Sequence, residues 1–365
     1  MPQPVRFDLG AGPPWAETEW NKIHGMTQMR SLLFHGPEQP PDRRFTVERV
    51  PIPDPGPGEV RIRVARVGLC GSDLHGYTGE SGRRVAGMVM GHEASGWIDA
   101  LGEGVSGPAL GTHVTFNPAL PCDGKCGHAI ESRCELLEVV GVTPHIVGAF
   151  ADYLVISHRR VVAIPDLTPE QGAVIEPMAV GLHAAMQLDA GAEDRILVVG
   201  GGMIGQVAAH AIRSLGAGEI VISEPHPRRR EIAEAAGFAT LHPSEVQAAA
   251  PFDRAMDAVA ISATVGAALD AVPKGGVVCI VGLGMPQVTV PLFSIVVGER
   301  VVVGSYCYSD ATFIETARRL TEGNLDPAAL IGPVVSMEDF PQAFEDLATG
   351  AISEVKLLMS TETSD

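Results

Sequence analysis

The hydrophobic and polar positions in the first half of the chain follow a pattern of short strands. Runs of apolar and β-branched residues are separated by turns rich in proline and glycine, as in antiparallel sheets. Such runs predict strands at 29–36, 45–50, 59–69, 95–101, 112–116 and 149–157. The segment 51–59 predicts a loop, because its prolines remove backbone donors and fix φ. We therefore expect a mainly β, irregular first part.

The pattern changes after about residue 180, where strands begin to alternate with helices. The run 195–199 is continuously apolar, which is typical of a buried parallel strand. Further elements follow it, with strands predicted at 219–223, 254–259, 277–281 and 300–303 and helices over 203–215 and 228–236. This alternation predicts a doubly wound parallel sheet. From about residue 317 the chain is expected to return to the first part, with a last strand near 355–359, because the parallel sheet is complete by then.

The predicted fold class is therefore α/β with two domains, a division that the length of 365 residues supports. The mainly β domain comprises 29–180 and 317–365, and the parallel-sheet domain comprises 181–316. Residues 1–28 are an N-terminal extension, which we expect either to pack on the body of the protein or to precede the true start of translation.

The charge balance excludes some classes of partner. The chain has 44 acidic and 26 basic residues, and its one basic cluster is at 228–230, so binding to nucleic acid is not expected. No apolar run approaches the ~20 residues needed to cross a bilayer, and the N-terminus lacks the apolar core of a secretory signal. Four of the six cysteines fall within 70–134, near histidines and carboxylates. This clustering indicates metal chemistry in a reducing compartment, so we expect a cytoplasmic protein.

A glycine pattern typical of dinucleotide binding follows the strand at 195–199. Gly200, Gly202 and Gly205 have the spacing that gives a tight turn, room for a pyrophosphate and close packing of strand on helix. Met203 and Ile204 begin the helix that follows, and their free backbone N–H groups are expected to bind the phosphates. The alternative is a glycine-rich turn that binds nothing.

The residue that ends the next strand bears on the choice of cofactor. Glu224 is placed to accept hydrogen bonds from the adenosine ribose hydroxyls, and its charge would repel a 2′-phosphate. This position favours NAD over NADP. Arg229, in the basic run, is a further candidate for contact with the cofactor and weakens that preference. Glu224 could also be an ordinary exposed residue.

Two short clusters in the mainly β part carry the side chains that zinc accepts. Thiolate, imidazole and carboxylate are its usual ligands, and catalytic sites keep one position open. Ser72 could pass a proton toward His75, since an imidazole can accept and release protons in a relay. Taken singly, a cysteine or histidine here could be a buried structural residue. The clusters consist of Cys70, Ser72, Asp73 and His75, followed by His92 and Glu93.

A third candidate is Glu176, which lies in an apolar segment just before the change of pattern. A carboxylate among apolar residues is costly unless it is paired or bound to a metal. Beside the two clusters it is interpreted as a ligand of zinc or of a zinc-held water rather than as a surface residue.

Together these residues resemble the zinc-binding medium-chain dehydrogenase/reductase family. The resemblance extends over nearly the whole chain from Met29. It includes, in order, CGSDxH, GHE, NPxxxC from Asn117, GAFADY at 148–153, the IEP element, the glycine pattern and GSYCYSD at 304–310. It implies a GroES-like catalytic domain joined to a Rossmann domain, and a homodimer or homotetramer.

The resemblance also implies roles for individual residues. Cys70 and His92 would bind catalytic zinc, and Glu93 and Glu176 would alternate as ligand or water holder. Ser72 and His75 would relay the proton, and Asp73 would support His92. Glutamate at 176, where alcohol dehydrogenases of the liver type carry cysteine, resembles the branch with sorbitol, threonine, idonate and butanediol dehydrogenases.

Two positions depart from the family pattern. The structural zinc lobe of the family has four cysteines spaced C-x2-C-x2-C-x7-C, whereas this chain has three, with His128 as the expected fourth ligand and Asp123 as a weaker alternative. The expected lobe ligands are Cys122, Cys126, His128 and Cys134. Cys307 stands where sorbitol dehydrogenases have an arginine, which makes sorbitol itself a less suitable substrate.

The resulting hypothesis is a zinc-dependent, NAD-linked oxidoreductase that interconverts a secondary alcohol, such as a polyol, diol, sugar or cyclitol hydroxyl, and the ketone by hydride transfer. One alternative is a zinc-free quinone or enoyl reductase on the same scaffold, which would have no use for Cys70, His92 and Glu176. The other is a non-catalytic nucleotide-binding relative, which would bind the cofactor without turnover.

Overall fold

The structure is a computed structural model that describes residues 28–128 and 130–362. The expected extension at 1–28 therefore lies outside the described residues, apart from Gln28, which begins the first strand.

The first part of the chain forms sheets of short, mostly antiparallel strands, as predicted. These strands are β1 (Gln28–Phe34), β2 (Phe45–Pro51), β3 (Glu59–Gly68), β4 (Met88–Val89), β5 (Glu93–Leu101), β6 (His113–Phe116), β7 (Ala119–Leu120), β8 (Glu138–Val139), β9 (Tyr153–Ser157) and β10 (Val161–Ala163). One helix, α1 (Gly71–Tyr77), follows β3, and short 3-10 turns occur at Pro41–Arg43, Glu131–Arg133 and His158–Arg160. Strands β2, β1 and β4 form a small sheet, and β7 pairs with β8.

The second part is a parallel sheet with helices between its strands. Its strands are β11 (Ile196–Val199), β12 (Ile220–Ser223), β13 (Ala239–Leu241), β14 (Arg254–Asp257), β15 (Val277–Ile280) and β16 (Val301–Gly304). The helices before and within it are α2 (Pro169–Ala173), α3 (Ile175–Leu188), α4 (Met203–Ser214), α5 (Pro227–Ala235), α6 (Val246–Ala249), α7 (Ser262–Ala271) and α8 (Leu292–Gly298), with a 3-10 turn at Pro243–Glu245.

The strand order of this sheet is β13-β12-β11-β14-β15-β16, all parallel. This is the doubly wound order that places a ligand at the carboxyl ends of the strands where the order reverses, beside β11. The predicted fold class is confirmed. The sequence pattern missed β13, because its three residues are exposed or half-buried and show no buried apolar run.

The end of the chain returns to the first part, as expected. It contains α9 (Asp310–Thr321), a 3-10 turn at Ala328–Leu330, β17 (Val334–Ser336), α10 (Phe340–Ala348) and β18 (Leu358–Ser360). Strands β18 and β17 extend a seven-stranded sheet of order β10-β6-β5-β3-β18-β17, in which β9 also pairs with β3. The expected domain limits at 180/181 and 316/317 fall inside α3 and α9, which cross between the two parts.

An aromatic core fixes α1 against the C-terminal segment. Phe340 and Phe344 are one turn apart on α10, so they project from the same face of that helix. Phe344 packs on Phe45, Tyr77 and Phe150, with ring centroids 4.9 to 6.0 Å apart. All of these rings except Phe45 are 0% exposed. The position of α1, which carries Ser72, Asp73 and His75, therefore depends on residues close to the other end of the chain.

Among the described residues, no helix has the length and apolar character required for a membrane span.

Candidate catalytic site

The two predicted clusters meet because their strands are paired. Gly68, at the end of β3, lies opposite Glu93, at the start of β5, in the antiparallel register. Cys70 follows the first strand and His92 precedes the second, so the pairing brings them together. Ligand atoms of Cys70, His92 and Glu93 all lie within 4.8 Å of one another, and His92 and Glu93 are buried. A sulfur, a nitrogen and an oxygen donor at this separation fit a zinc ion.

Asp73 stands behind His92, as the family resemblance implied. Its Oδ2 faces His92 Nδ1 at 3.6 Å, so the ring contacts Cys70 with its other edge. Metal-binding histidines commonly turn their second nitrogen toward a carboxylate, which fixes the tautomer and the ring plane. Asp73 is fully buried, and its Oδ1 accepts a hydrogen bond of 2.6 Å from Arg84 Nη2.

Glu93 is paired with a buried lysine that sequence reasoning missed. Lys356 Nζ donates to Glu93 Oε2 at 2.5 Å and to the backbone oxygen of Leu69 at 3.0 Å. Both charged side chains are 1% exposed. Removing one partner of a buried pair costs about 3–5 kcal/mol, because the other charge is left without compensation. The sequence does contain one signal for this pairing, because Lys356 is a single lysine within the otherwise apolar segment 355–359.

Glu176 lies on the first turn of α3 and is held by a tyrosine. The Tyr308 hydroxyl donates to Glu176 Oε1 at 2.7 Å. Among the described residues, the set with mutual distances within 4.8 Å contains Glu93 and not Glu176. Glu176 is nevertheless close enough for its charge to affect His92. The structure thus places one glutamate among the ligands and the other beside them.

The pKa values of this pocket reflect an excess of negative charge. Burial disfavours a proton on His92, but the charges of Asp73, Cys70 and Glu176 raise its pKa to about 10. Burial raises the pKa of Glu176 to about 7, against the opposing effect of His92. A bound cation would relieve the same excess of negative charge that raises the pKa of His92. The donor set and the charge both fit zinc.

The two relay candidates are on one helix but do not touch. Ser72 and His75 are three positions apart on α1 and so share a face of it. The Ser72 hydroxyl donates to Cys70 Sγ at 3.4 Å, at the metal site. His75 is half exposed, and its Nδ1 lies 2.6 Å from Glu80 Oε2, at the surface. The helix therefore runs from the ligand cluster to solvent.

Cys307 lies near the same pocket in an unusual conformation. Its φ is +48°, a left-handed value that residues with a side chain adopt at a cost of about 1–3 kcal/mol. Burial raises the pKa of its thiol to about 12, helped by the charges of Glu176 and Cys70. The thiol is therefore neutral at physiological pH and brings no negative charge to this pocket.

The glycine pattern forms the turn that was predicted between β11 and α4. A Cβ on Gly205 would lie 1.8 Å from the backbone oxygen of Gly200, so the helix approaches the strand too closely for any other residue. Gly202 caps α4, and Met203 and Ile204 begin it, with N–H groups that point out of its first turn. This turn lies beside β11, where the strand order reverses, so the site fits a dinucleotide pyrophosphate.

Glu224 ends β12 as predicted, but its carboxylate is already engaged. Its Oε2 accepts a hydrogen bond of 2.7 Å from the N–H of Gly201, and its Oε1 accepts one of 2.8 Å from the N–H of His226. The residue is 3% exposed, so it is not an ordinary surface glutamate. Each carboxylate oxygen has a second lone pair, which leaves capacity for a ribose hydroxyl.

Arg229 lies on α5 opposite the same turn. Its Nη1 comes within 4.0 Å of the position that a Cβ on Gly202 would take. Its buried Nε has no hydrogen-bond partner within the described part of the chain. A guanidinium with an unused donor beside a glycine turn is suited to a phosphate oxygen.

The lobe at 119–139 brings together three of its four expected ligands. The sulfur atoms of Cys122, Cys126 and Cys134 lie within 4.8 Å of one another, and Cys126 Sγ is 3.7 Å from Cys134 Sγ. The backbone N–H of Cys126 donates to Cys122 Sγ at 3.2 Å. Hydrogen bonds from backbone N–H groups, that of His128 first, lower the pKa of Cys126 to about 7. Such bonds favour thiolates, the form that binds zinc.

The prediction that His128 is the fourth ligand is not supported by the arrangement of this lobe. His128 Nε2 faces Glu135 Oε1 at 3.7 Å, and the side chain is 45% exposed. Among the described residues, the lobe set contains the three cysteines alone. The backbone N–H of His128 is directed to the Cys126 sulfur, while its ring faces Glu135. Asp123, the weaker alternative, is also exposed and outside the set.

Comparison with known proteins gives the family context of these sites. Residues 56–166 match the model of the alcohol dehydrogenase GroES-like domain, and residues 203–322 match that of zinc-binding dehydrogenases. The chain is 30% identical to L-idonate 5-dehydrogenase of Vitis vinifera, over 94% of this chain and 97% of that protein. It is 32% identical to sorbitol dehydrogenase of Bacillus subtilis (strain 168), over 87% and 93% of the two chains.

A solved structure extends the similarity to the fold. The structure of 2R,3R-butanediol dehydrogenase from Bacillus subtilis superposes with a TM-score of 0.83 at 27% identity, covering 92% of this chain and 100% of that one. The two chains therefore share both parts of the fold and their order.

We expect the lobe to bind one zinc ion through its three thiolates, with the fourth position not filled by His128. Cys126→Ser should remove one zinc per chain and lower the melting temperature, since a structural zinc contributes folding free energy directly. His128→Ala, the matched control, should leave the zinc content unchanged. Plasma emission spectrometry measures the zinc content, and thermal unfolding measures the melting temperature. Loss of zinc in the His128 variant would restore the histidine as ligand, and a Cys126 variant with unchanged zinc and stability would show that the lobe binds none.

Proposed function

The chain belongs to the zinc-dependent medium-chain dehydrogenase/reductase family, in its polyol dehydrogenase-like branch, and we propose that Cys70, His92 and a glutamate hold its catalytic zinc. It is an NAD-linked oxidoreductase that interconverts secondary alcohols and ketones. The observation that carries the proposal is the buried convergence of three ligand atoms within 4.8 Å of one another. A zinc-free reductase would have no use for this set.

The two glutamates share the remaining ligand role. Glu93 is nearer to the cluster and is neutralised by Lys356, whereas Glu176 is held by an uncharged tyrosine. When bound, the zinc would lower the pKa of the substrate hydroxyl and polarise the carbonyl in the reverse direction. Glu176, placed beside the cluster, would hold a water or complete the ligand set when the substrate leaves.

Ser72 would accept the proton that the substrate hydroxyl releases and would pass its own hydrogen on toward His75. Its oxygen lies 3.4 Å from Cys70 Sγ, so it is next to the substrate position on the metal. His75, one turn further along α1 and half exposed, would pass the proton to solvent. Because Ser72 and His75 do not contact each other, a hydroxyl group of the bound cofactor, such as one of the nicotinamide ribose, would have to connect them. Ser72 and His75 would thus act on the same proton path without contacting each other.

The substrate is proposed to be a small molecule with neighbouring hydroxyl groups, such as a diol, polyol, cyclitol or sugar acid. Relatives named for L-idonate and sorbitol support this class. The neutral thiol of Cys307, in place of an arginine, argues against sorbitol itself.

We propose that 29–180 and 317–365 form the catalytic part and 181–316 the cofactor-binding part. We propose a cytoplasmic protein, because four of the six cysteines cluster near histidines and carboxylates, which is typical of metal chemistry in a reducing compartment.

We propose that the cofactor is held by the turn at Gly200–Gly205, with its pyrophosphate on the N–H groups of Met203 and Ile204. Glu224, fixed by two backbone N–H groups, would accept from the adenosine ribose. Arg229 would reach the pyrophosphate from α5. On this assignment NAD is preferred, because the carboxylate is buried at the position that a 2′-phosphate would need.

A second copy of the chain is the proposed partner at the open edge of the parallel sheet. Strand β16 ends that sheet, so one of its edges is unpaired in the described chain. The helix before it presents large apolar side chains, of which Phe293 is 84% exposed, and Val301 on the strand is 53% exposed. Exposed apolar patches beside a free edge are typical of interfaces. Two copies paired edge to edge would bury both features.

Replacing a ligand tests the catalytic assignment. Cys70→Ser and His92→Ala should each lose one zinc per chain and lower kcat/KM by about 1000-fold or more, because a Lewis acid contributes several kcal/mol to the transition state. Turnover is followed by NADH release over a panel of diols, polyols, cyclitols, sugar acids and amino alcohols. His145→Ala, an exposed histidine, is the control and should retain zinc and activity. Full turnover in thoroughly metal-stripped protein would refute the zinc mechanism.

The cofactor preference follows from Glu224. We expect a higher kcat/KM with NAD than with NADP, and Glu224→Gln should reduce that ratio about tenfold or more, since placing like charges together costs several kcal/mol. Glu219→Gln is the control, because Glu219 directly precedes the first residue of β12. It should leave the ratio unchanged. An unmodified protein that uses NADP as well as NAD would contradict the assignment.

The proposed interface can be separated from ordinary surface hydrophobicity. The unmodified protein should be a dimer or tetramer by light scattering, and Phe293→Glu should dissociate it by placing a charge in an apolar contact. Leu110→Glu changes a side chain of similar exposure, 62%, in the mainly β part and should not alter the mass. A monomeric unmodified protein, or a Phe293 variant with unchanged mass, would overturn the interface.

A further inference from the structure

One buried guanidinium touches two groups of the proposed catalytic site. Arg84 follows α1 in the loop that leads to β4, and its side chain is 1% exposed. Its Nε and Nη2 donate to Asp73 Oδ1 at 3.1 and 2.6 Å. The same Nη2 donates to the hydroxyl oxygen of Ser72 at 3.1 Å. Arg84 therefore connects the carboxylate behind His92 with the serine beside Cys70.

A glycine in α1 makes room for this arginine. A Cβ added to Gly76 would lie 2.0 Å from Arg84 Cγ and 2.7 Å from Arg84 Cβ. Glycine is a poor helix former, so its presence in a seven-residue helix calls for a reason. Here the missing side chain lets the stem of Arg84 lie against the helix, which brings the guanidinium to Ser72.

The hydrogen-bond inventory of Ser72 shows what the contact does. A serine hydroxyl has one hydrogen to donate and two lone pairs that accept. In this structure Arg84 uses one lone pair, and the hydrogen lies toward Cys70 Sγ. One lone pair is left, so the serine has a single way to accept a hydrogen bond from a substrate.

We propose that Arg84, anchored on Asp73, is a positioning residue that orients the Ser72 hydroxyl to receive the substrate's hydrogen bond. The proposal rests on the proposed function, in which Ser72 takes the substrate proton. Arg84 itself does not touch the reacting atoms. Its planar fork reaches both Asp73 and Ser72, and a lysine could keep the charge beside Asp73 but not both contacts.

A double-mutant cycle on zinc-loaded protein tests the proposal. Ser72→Ala should lower kcat about 100-fold, the scale of a lost proton acceptor. Arg84→Lys should lower kcat about tenfold, as expected for a lost charge-assisted hydrogen bond, with the KM for NAD and the zinc content unchanged. The double variant should be no slower than Ser72→Ala, because Arg84 acts through that serine. A second readout without turnover is urea unfolding of the same four proteins, in which the two substitutions should again be non-additive.

Two further variants distinguish the contact from a general effect. Arg66→Lys is the matched control, since the Arg66 guanidinium also bridges a carboxylate, Glu170, and a serine, Ser360, neither of which is a proposed site residue. It should leave kcat unchanged. Gly76→Ala should lower kcat about as much as Arg84→Lys, although alanine is the better helix former.

The outcomes separate the two proposals. If Ser72→Ala retains full kcat, the relay fails and the role of Arg84 fails with it. If Ser72→Ala is impaired while Arg84→Lys equals the unmodified protein, the inference about Arg84 alone is overturned. Additive losses in kcat and in unfolding would also overturn it, since Arg84 would then act independently of Ser72.

Discussion

A buried excess of negative charge is the constraint on which the arrangement of this protein depends. Asp73 and Glu93 are almost fully buried within one pocket, and Cys70 and Glu176 face it. Taking charges out of water is costly unless they are paired. In the described part of the chain, Arg84 meets Asp73 and Lys356 meets Glu93. Cys70 and Glu176 have no such cationic partner there, and the charges of Asp73, Cys70 and Glu176 raise the pKa of His92. A bound metal ion would balance this negative charge.

This charge balance explains why the end of the chain returns to the first part. Lys356 lies just before β18, and β18 pairs with β3 next to the strand end that leads to Cys70. The pairing carries the lysine into the pocket, where its ammonium also binds the backbone oxygen of Leu69. The segment that leads into β18 thus contributes a charge to the proposed metal site, although it contains no expected ligand.

The sequence could predict what is local in the chain. The strands and helices with continuous apolar runs, the glycine turn and the ligand residues next to β3 and β5 all depend on neighbours in sequence. Lys356 and Glu93, in contrast, are 263 positions apart, and Tyr308 and Glu176 are 132 apart. Pairings of this range leave no periodic signal. The orientation of His128 also could not be read from spacing, because it depends on which way one backbone N–H turns in a short loop.

Polar contacts of a single carboxylate also connect the two parts of the fold. Arg160, after β9, forms two hydrogen bonds of 2.7 Å with the carboxylate of Asp310, and Asn117 Nδ2 donates to the same carboxylate at 2.8 Å. Asp310 begins α9 and is two residues after Tyr308, which holds Glu176. A shift of α9 relative to the mainly β part would therefore move the tyrosine and release the glutamate. One contact that joins the two parts therefore lies two residues from the tyrosine that holds Glu176, so this contact and the position of Glu176 depend on the same segment.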